Sequence, residues 1–128
     1  MSAAFLLDAS ALLAAMMGEE GTEAVEAKLT EAQIGAVNAS EVVAKLTDKG
    51  FSGETAQELF EALLLPVVDF DAATAMRAGQ LRPSTRMKGL SLGDRACLAQ
   101  AEVSGCPVLT ADRAWAGLDL GVDVQVIR

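Results

Sequence analysis

Ala3-Ala4-Phe5-Leu6-Leu7-Asp8-Ala9-Ser10-Ala11-Leu12 is the stretch that decides how this chain reads. An unbroken apolar run ends on an acid, and helix-forming residues follow at once. A short apolar run without alternation fits a strand buried on both faces, as in a parallel sheet. Three later acids have similar settings. Glu41 follows Ile34-Gly35-Ala36-Val37 by a few residues, Asp94 lies in Leu90-Ser91-Leu92-Gly93-Asp94-Arg95, and Asp112 closes Pro107-Val108-Leu109-Thr110-Ala111. Acids at the carboxyl ends of parallel strands, or on the next helical turn, point into one crevice, where open α/β sheets take their ligands. Crowded carboxylates repel each other, so such a set implies a divalent cation.

Outward from these acids the chain alternates strand and helix. Strands are expected at Ala4–Leu7, Gln33–Val37, Val67–Phe70, Val108–Thr110 and Val124–Ile127. Helical stretches are expected at Ser10–Met17, Thr22–Thr30, Ser40–Gly50, Gly53–Leu64, Asp71–Leu81 and Ser91–Ser104. Arg82–Gly89, with Pro83, reads as a basic loop, and Arg113–Leu118 as a short helix or turn carrying the only Trp. This order favours α/β: a three-layer α/β/α sandwich with a central, mainly parallel sheet. The 128 residues suit one domain with a real core.

Composition narrows the chemistry. At 52% hydrophobic residues and a mean hydropathy of +0.32 the chain is too apolar to be disordered. No His is present, which removes His-based ribonucleases, Ser-His-Asp and Cys-His hydrolases and His-ligated zinc. No Tyr is present to serve as a nucleophile. Cys97 and Cys106 are too few for a metal cluster and read as reduced packing residues, which fits the cytoplasm. The N-terminal apolar run lacks a basic flank and is too short to span a bilayer, so neither export signal nor membrane helix is expected.

The net charge of −8 argues against bulk attraction to nucleic acid. Yet half of the chain's ten bases, Arg77, Arg82, Arg86, Lys88 and Arg95, fall in one segment whose only acid is Asp94. Arg82, Arg86, Lys88 and Arg95 are candidates for contacts to flanking phosphates, against the alternative of a solvated loop. Trp115 has two readings, a base-stacking platform or core packing, and its apolar neighbours favour the core.

Each acid also has a capping explanation. Asp8 and Asp112 can cap the turns that follow them, Glu41 can sit in a helical first turn, and Ser91 to Asp94 has capping-box spacing. Four caps need not share an end of the sheet, whereas a cation site requires it. Ser10 and Thr110, each two residues from an acid, carry hydroxyls able to orient a carboxylate or a metal-bound water.

Leu6-Leu7-Asp8-Ala9-Ser10-Ala11-Leu12, Asn38-Ala39-Ser40-Glu41-Val42, Leu90-Ser91-Leu92-Gly93-Asp94-Arg95-Ala96-Cys97-Leu98-Ala99 and Val108-Leu109-Thr110-Ala111-Asp112-Arg113 together resemble the four motif blocks of PIN-domain ribonucleases. Within that family they are most similar to the VapC toxins of bacterial toxin–antitoxin pairs. The resemblance covers essentially the whole chain, and the ordered set is more specific than any block. It implies a PIN fold and RNA cleavage dependent on Mg²⁺ or Mn²⁺. The acidic site would be Asp8, Glu41, Asp94 and Asp112, with Asp8 and Asp94 nearest the ion and Glu41 and Asp112 direct or through water. It further implies a small VapB-like antitoxin, a homodimer and a larger toxin–antitoxin assembly. Whether one or two ions bind stays open.

Three other protein classes share parts of this pattern. A receiver-type signalling domain wants paired acids after the first strand and a late Lys, but Ala9 follows Asp8 and no Lys follows Lys88. A haloacid-dehalogenase-type phosphatase wants a second Asp where Ser10 stands. A PIN-like RNA-binding or processing module without a toxin role is the remaining alternative, and four intact acids argue against its having lost catalysis.

Overall fold

The computed structural model describes residues 4–128. A five-stranded sheet of β1 (Phe5–Leu7), β2 (Ala32–Gly35), β3 (Val67–Val68), β4 (Val108–Thr110) and β5 (Val124–Val126) runs in the order β3-β2-β1-β4-β5. Every pairing is parallel, with Leu7 opposite Ile34 on one side and Leu109 on the other. All carboxyl ends therefore lie at the same edge of the sheet. The first three strands step one way from β1 and the last two lie on its other side, so the order reverses between β1 and β4. That reversal is the expected position of a ligand crevice.

The period of two in a strand feeds two cores. Leu7, Ile34 and Leu109 face the layer built from α1 (Ala9–Met16), α2 (Thr22–Glu26), α3 (Ala36–Asp48) and α4 (Gly53–Glu61). Leu6 and Val108 face α5 (Ala72–Gln80) and α7 (Leu92–Ser104), with Leu81, Leu90 and Trp115 filling that side. The three-layer sandwich and its parallel sheet are thus as the alternation of elements implied. No helix among the described residues is long and apolar enough to cross a membrane.

Four local expectations are corrected. The second strand stops at Gly35, whose extended backbone (ψ 153°) turns the chain directly into α3, so Ala36 and Val37 are helical. The stretch Thr22–Thr30 is not one helix but α2 followed by a 3-10 turn at Leu29–Glu31. The basic segment is not a loop: α6 (Arg82–Thr85) and a 3-10 turn at Arg86–Lys88 make it helical. Pro83 does not oppose this, because it occupies the first turn, where no intrahelical N–H is required. Cys106 is only partly buried, whereas Cys97 is fully enclosed.

Trp115 is fully buried in the second core, as its apolar neighbours suggested, and its indole Nε1 has no hydrogen-bond partner among the described residues. A base-stacking role is therefore closed to it.

Candidate functional site

Asp8 is the first residue past β1 and caps α1, accepting the Ala11 N–H at 2.8 Å. It is 3% exposed and takes three further hydrogen-bond contacts. The Ser10 hydroxyl lies 2.8 and 2.9 Å from its two oxygens, and Thr110 Oγ1 donates to Oδ2 at 2.6 Å. Burial pushes its pKa up to about 6, against the hydrogen bonds from Thr110, Ala11 and Ser10, and nearby Asp94 raises it further. Ionised Asp8 is therefore held at a cost that an adjacent cation would relieve.

Ser10 and Thr110 form a small hydroxyl network around this carboxylate. Ser10 Oγ accepts the Ala111 N–H at 2.9 Å, and Thr110 Oγ1 accepts the Asp112 N–H at 3.0 Å. The ends of β1 and β4 are thereby locked to each other. Asp112 in turn caps the 3-10 turn Arg113–Trp115, accepting the Ala114 N–H at 2.9 Å.

Asp94 is the third residue of α7 and closes a capping box. The Ser91 hydroxyl accepts the Asp94 N–H at 3.2 Å, and Asp94 Oδ2 accepts the Ser91 N–H at 2.9 Å. Glu41 lies one turn into α3, where Asn38 Nδ2 donates to its Oε1 at 2.9 Å. Burial raises the Glu41 pKa; the Asn38 bond opposes this, Asp94 adds to it and Lys45 lowers it.

All four acids, with Ala9, Ser10, Leu13 and Lys45, line one cavity of about 170 Å³. The caps and the shared crevice are compatible, because a carboxylate has two oxygens and a cap uses one of them. A second, more open concavity of about 580 Å³ adjoins it through Ser10 and Asp112 and includes Glu20, Arg113 and Arg128. Buried Cys97 senses the same charge: its thiol pKa is pushed up first by burial, then by Asp8, Asp94 and Glu41.

The four acids and Ser10 offer an ion only oxygens, which suits a hard cation and not zinc or copper. Among the described residues no three acids stand close enough to chelate one ion directly. The set fits an ion that keeps several waters and takes one or two carboxylates, the habit of Mg²⁺.

Arg82, Arg86, Lys88 and Arg95 do not line this cavity. Arg82 and Arg86 are exposed. Lys88 Nζ donates to the Ala116 carbonyl at 2.9 Å, and Arg95 Nη1 to the Ala78 carbonyl at 3.1 Å, so these two tie elements together. Arg77, the fifth base, makes a two-point salt bridge to Glu102.

Three contributors were not singled out from sequence. Lys45 sits one helical turn beyond Glu41, a spacing that alone could have placed it on the acids' side. Asn38 is 2% exposed and also donates to the Gly93 carbonyl at 3.1 Å. Gly93 lies against the Glu41 carboxylate, and a Cβ there would stand 2.5 Å from Glu41 Oε1 and Cδ. No sequence pattern announces that approach, because it joins α3 to α7.

Residues 5–119 match the family model described as the PIN domain. No curated protein matches the chain. Among solved structures, the chain is similar to a DNA-bound VapBC from Salmonella typhimurium, at 21% identity and a TM-score of 0.75 over 100% of both chains. A toxin-antitoxin complex from Klebsiella pneumoniae aligns at 21% identity and a TM-score of 0.74, covering 96% of this chain and 97% of that one. VapBC-5 from Mycobacterium tuberculosis aligns at 22% identity and a TM-score of 0.63 over 98% of each chain. At such identities the likeness is one of fold.

Proposed function

Since the chain belongs to the PIN-domain family, a family of nucleases, we propose that it is a divalent-cation-dependent endoribonuclease acting as the toxin of a VapBC-type pair. The observation that carries this reading is the convergence of Asp8, Glu41, Asp94 and Asp112 on one small cavity. The toxin assignment draws on the fold shared with VapBC and other toxin–antitoxin proteins. In this reading a small VapB-like antitoxin silences the chain in the cytoplasm, and two copies pair within a larger assembly.

Asp8 and Asp94 are the carboxylates assigned to hold Mg²⁺ or Mn²⁺, with Glu41 and Asp112 acting directly or through water. When bound, the ion supplies a Lewis acid that lowers the pKa of water and offsets the charge of the phosphodiester. Ser10 and Thr110 fix the orientation of Asp8 by the hydrogen bonds above. The raised proton affinity of Glu41 supports its role in accepting a proton from the attacking water. Lys45, the one cation at the cavity among the described residues, is suited to a phosphate oxygen of the bound strand. Exposed Arg82, Arg86 and Lys88 are suited to phosphates farther along it, since Lys88 keeps further N–H donors beside its bond to the Ala116 carbonyl, whereas half-buried Arg95 is tied to the Ala78 carbonyl.

The test is an RNA cleavage assay across a Mg²⁺ or Mn²⁺ titration with an EDTA control. Cleavage that appears with the ion and is silenced by the product of a neighbouring small reading frame supports both halves of the proposal. Cleavage that persists in EDTA overturns the cation-dependent mechanism, and cleavage indifferent to that partner overturns the toxin assignment.

A further inference from the structure

Asn38 makes two hydrogen bonds from a single nitrogen, and each goes somewhere that matters. Its Nδ2 donates to Glu41 Oε1 at 2.9 Å and to the Gly93 carbonyl at 3.1 Å. Both partners are acceptors only, so the amide must present its NH₂ here, and the two hydrogens are both used. Asn38 is buried, so losing either partner would strand a polar group. The bond within α3 spans three residues, while the bond to Gly93 reaches across to the first turn of α7, one residue before Asp94. The amide therefore fixes the spacing between the helix that carries Glu41 and the helix that carries Asp94.

Gly93 supplies the opposing wall. Any side chain there would collide with the Glu41 carboxyl group. The carboxylate is thus gripped at Oε1 by the amide and backed by bare main chain. Oε2 is the Glu41 atom nearest Gly93, and among the described residues it accepts no hydrogen bond.

We propose that Asn38, with Gly93 as its backstop, is the positioning residue that holds the Glu41 carboxylate for divalent-cation binding. The inference rests on the acidic-site reading above and extends it to two residues outside the acids. Removing such an outer partner characteristically weakens metal affinity by about 10–100-fold.

Calorimetric titration of the metal-free protein with Mn²⁺ tests this without relying on cleavage. Wild type, Asn38→Leu, Gly93→Ala, Glu41→Gln and the double variant Asn38→Leu/Glu41→Gln are compared, each checked for folding by circular dichroism. Asn38→Leu should weaken Mn²⁺ binding by at least about tenfold. Gly93→Ala should do likewise by displacing the carboxylate, and it remains informative if Asn38→Leu fails to fold. In the Glu41→Gln background, Asn38→Leu should add little, because the group it positions has already been altered. Wild-type affinity in folded Asn38→Leu or Gly93→Ala overturns the inference while leaving the acidic site standing. An equal loss with and without Glu41 also overturns it, since that would mark a general structural role. Failure of wild type to bind Mn²⁺ at all would instead bring down the acidic-site reading beneath it.

Discussion

Thr110 Oγ1 donates a 2.6 Å hydrogen bond to Asp8 Oδ2, joining the carboxyl ends of two adjacent strands across 102 positions of sequence. The same oxygen accepts the Asp112 N–H. Thr110→Val keeps the shape and removes both. It should cost roughly 1–3 kcal/mol, since a buried acceptor and an N–H lose their partner together. The Thr110 bond holds the Asp8 pKa down, so its loss should move the acid limb of Mn²⁺ binding to higher pH. Urea melts and a pH series of calorimetric titrations check the two effects.

Asp8 makes stability depend on pH in an unusual direction for an acid. Its folded pKa is raised to about 6 from 3.8, so the folded protein holds this proton more tightly than the unfolded chain. Ionisation therefore costs stability, on the order of 2–3 kcal/mol. That cost is fully present above about pH 6 and vanishes below about pH 4. In EDTA, Asp8→Asn should thus melt higher than wild type at pH 7, with the advantage fading as pH falls through this window. The amide can still accept the Ala11 N–H, so the helix cap is kept. Melting curves at a series of pH values read this directly.

Asp94 serves a cap and a cavity at once, and two variants separate these roles. Ser91→Ala removes the hydroxyl that accepts the Asp94 N–H and should cost about 1 kcal/mol, while cleavage is largely retained. Asp94→Asn keeps an oxygen for the Ser91 N–H but loses the charge. It should abolish cleavage with little change in stability. Chemical denaturation and a fixed-time RNA assay on the same preparations make the comparison.

Arg82→Ala/Arg86→Ala should weaken RNA binding most at low salt. For single strands, removing two phosphate contacts lowers the slope of log affinity against log salt by roughly 1.4. A filter-binding series from low to high salt, with Ca²⁺ in place of Mg²⁺ to suppress cleavage, measures that slope.

What the sequence made legible was set by local signals. The apolar run to Leu7 and the apolar Val108-Leu109 announce central parallel strands because both faces of the sheet are covered. The Ser91–Asp94 box is local chemistry and is found as the spacing implied. Asp8, Glu41, Asp94 and Asp112 could be picked out because a shared sheet end is a consequence of parallel order. The start of α3 was not legible: Val37 suits a strand as well as a helix, and it is the turn at Gly35 that decides. That error hid Asn38, which reads as loop if the helix begins at Ser40 and as a first-turn amide once it begins at Ala36. Pro83 misled in a similar way, since a Pro ends one helix and starts another with equal ease. Gly93 against Glu41, and the ties of Lys88 to Ala116 and of Arg95 to Ala78, depend on packing between elements distant in sequence.

The central claim is that the four acids form one divalent-cation site, and a crystal soaked in Mn²⁺ tests it most directly. Anomalous diffraction near the manganese absorption edge should place a peak in the cavity lined by Asp8, Glu41, Asp94 and Asp112, nearest to Asp8 and Asp94. A crystal of Asp94→Asn soaked in parallel should lose it. An empty cavity in wild-type crystals at saturating Mn²⁺, or a peak held by other residues, would contradict the account.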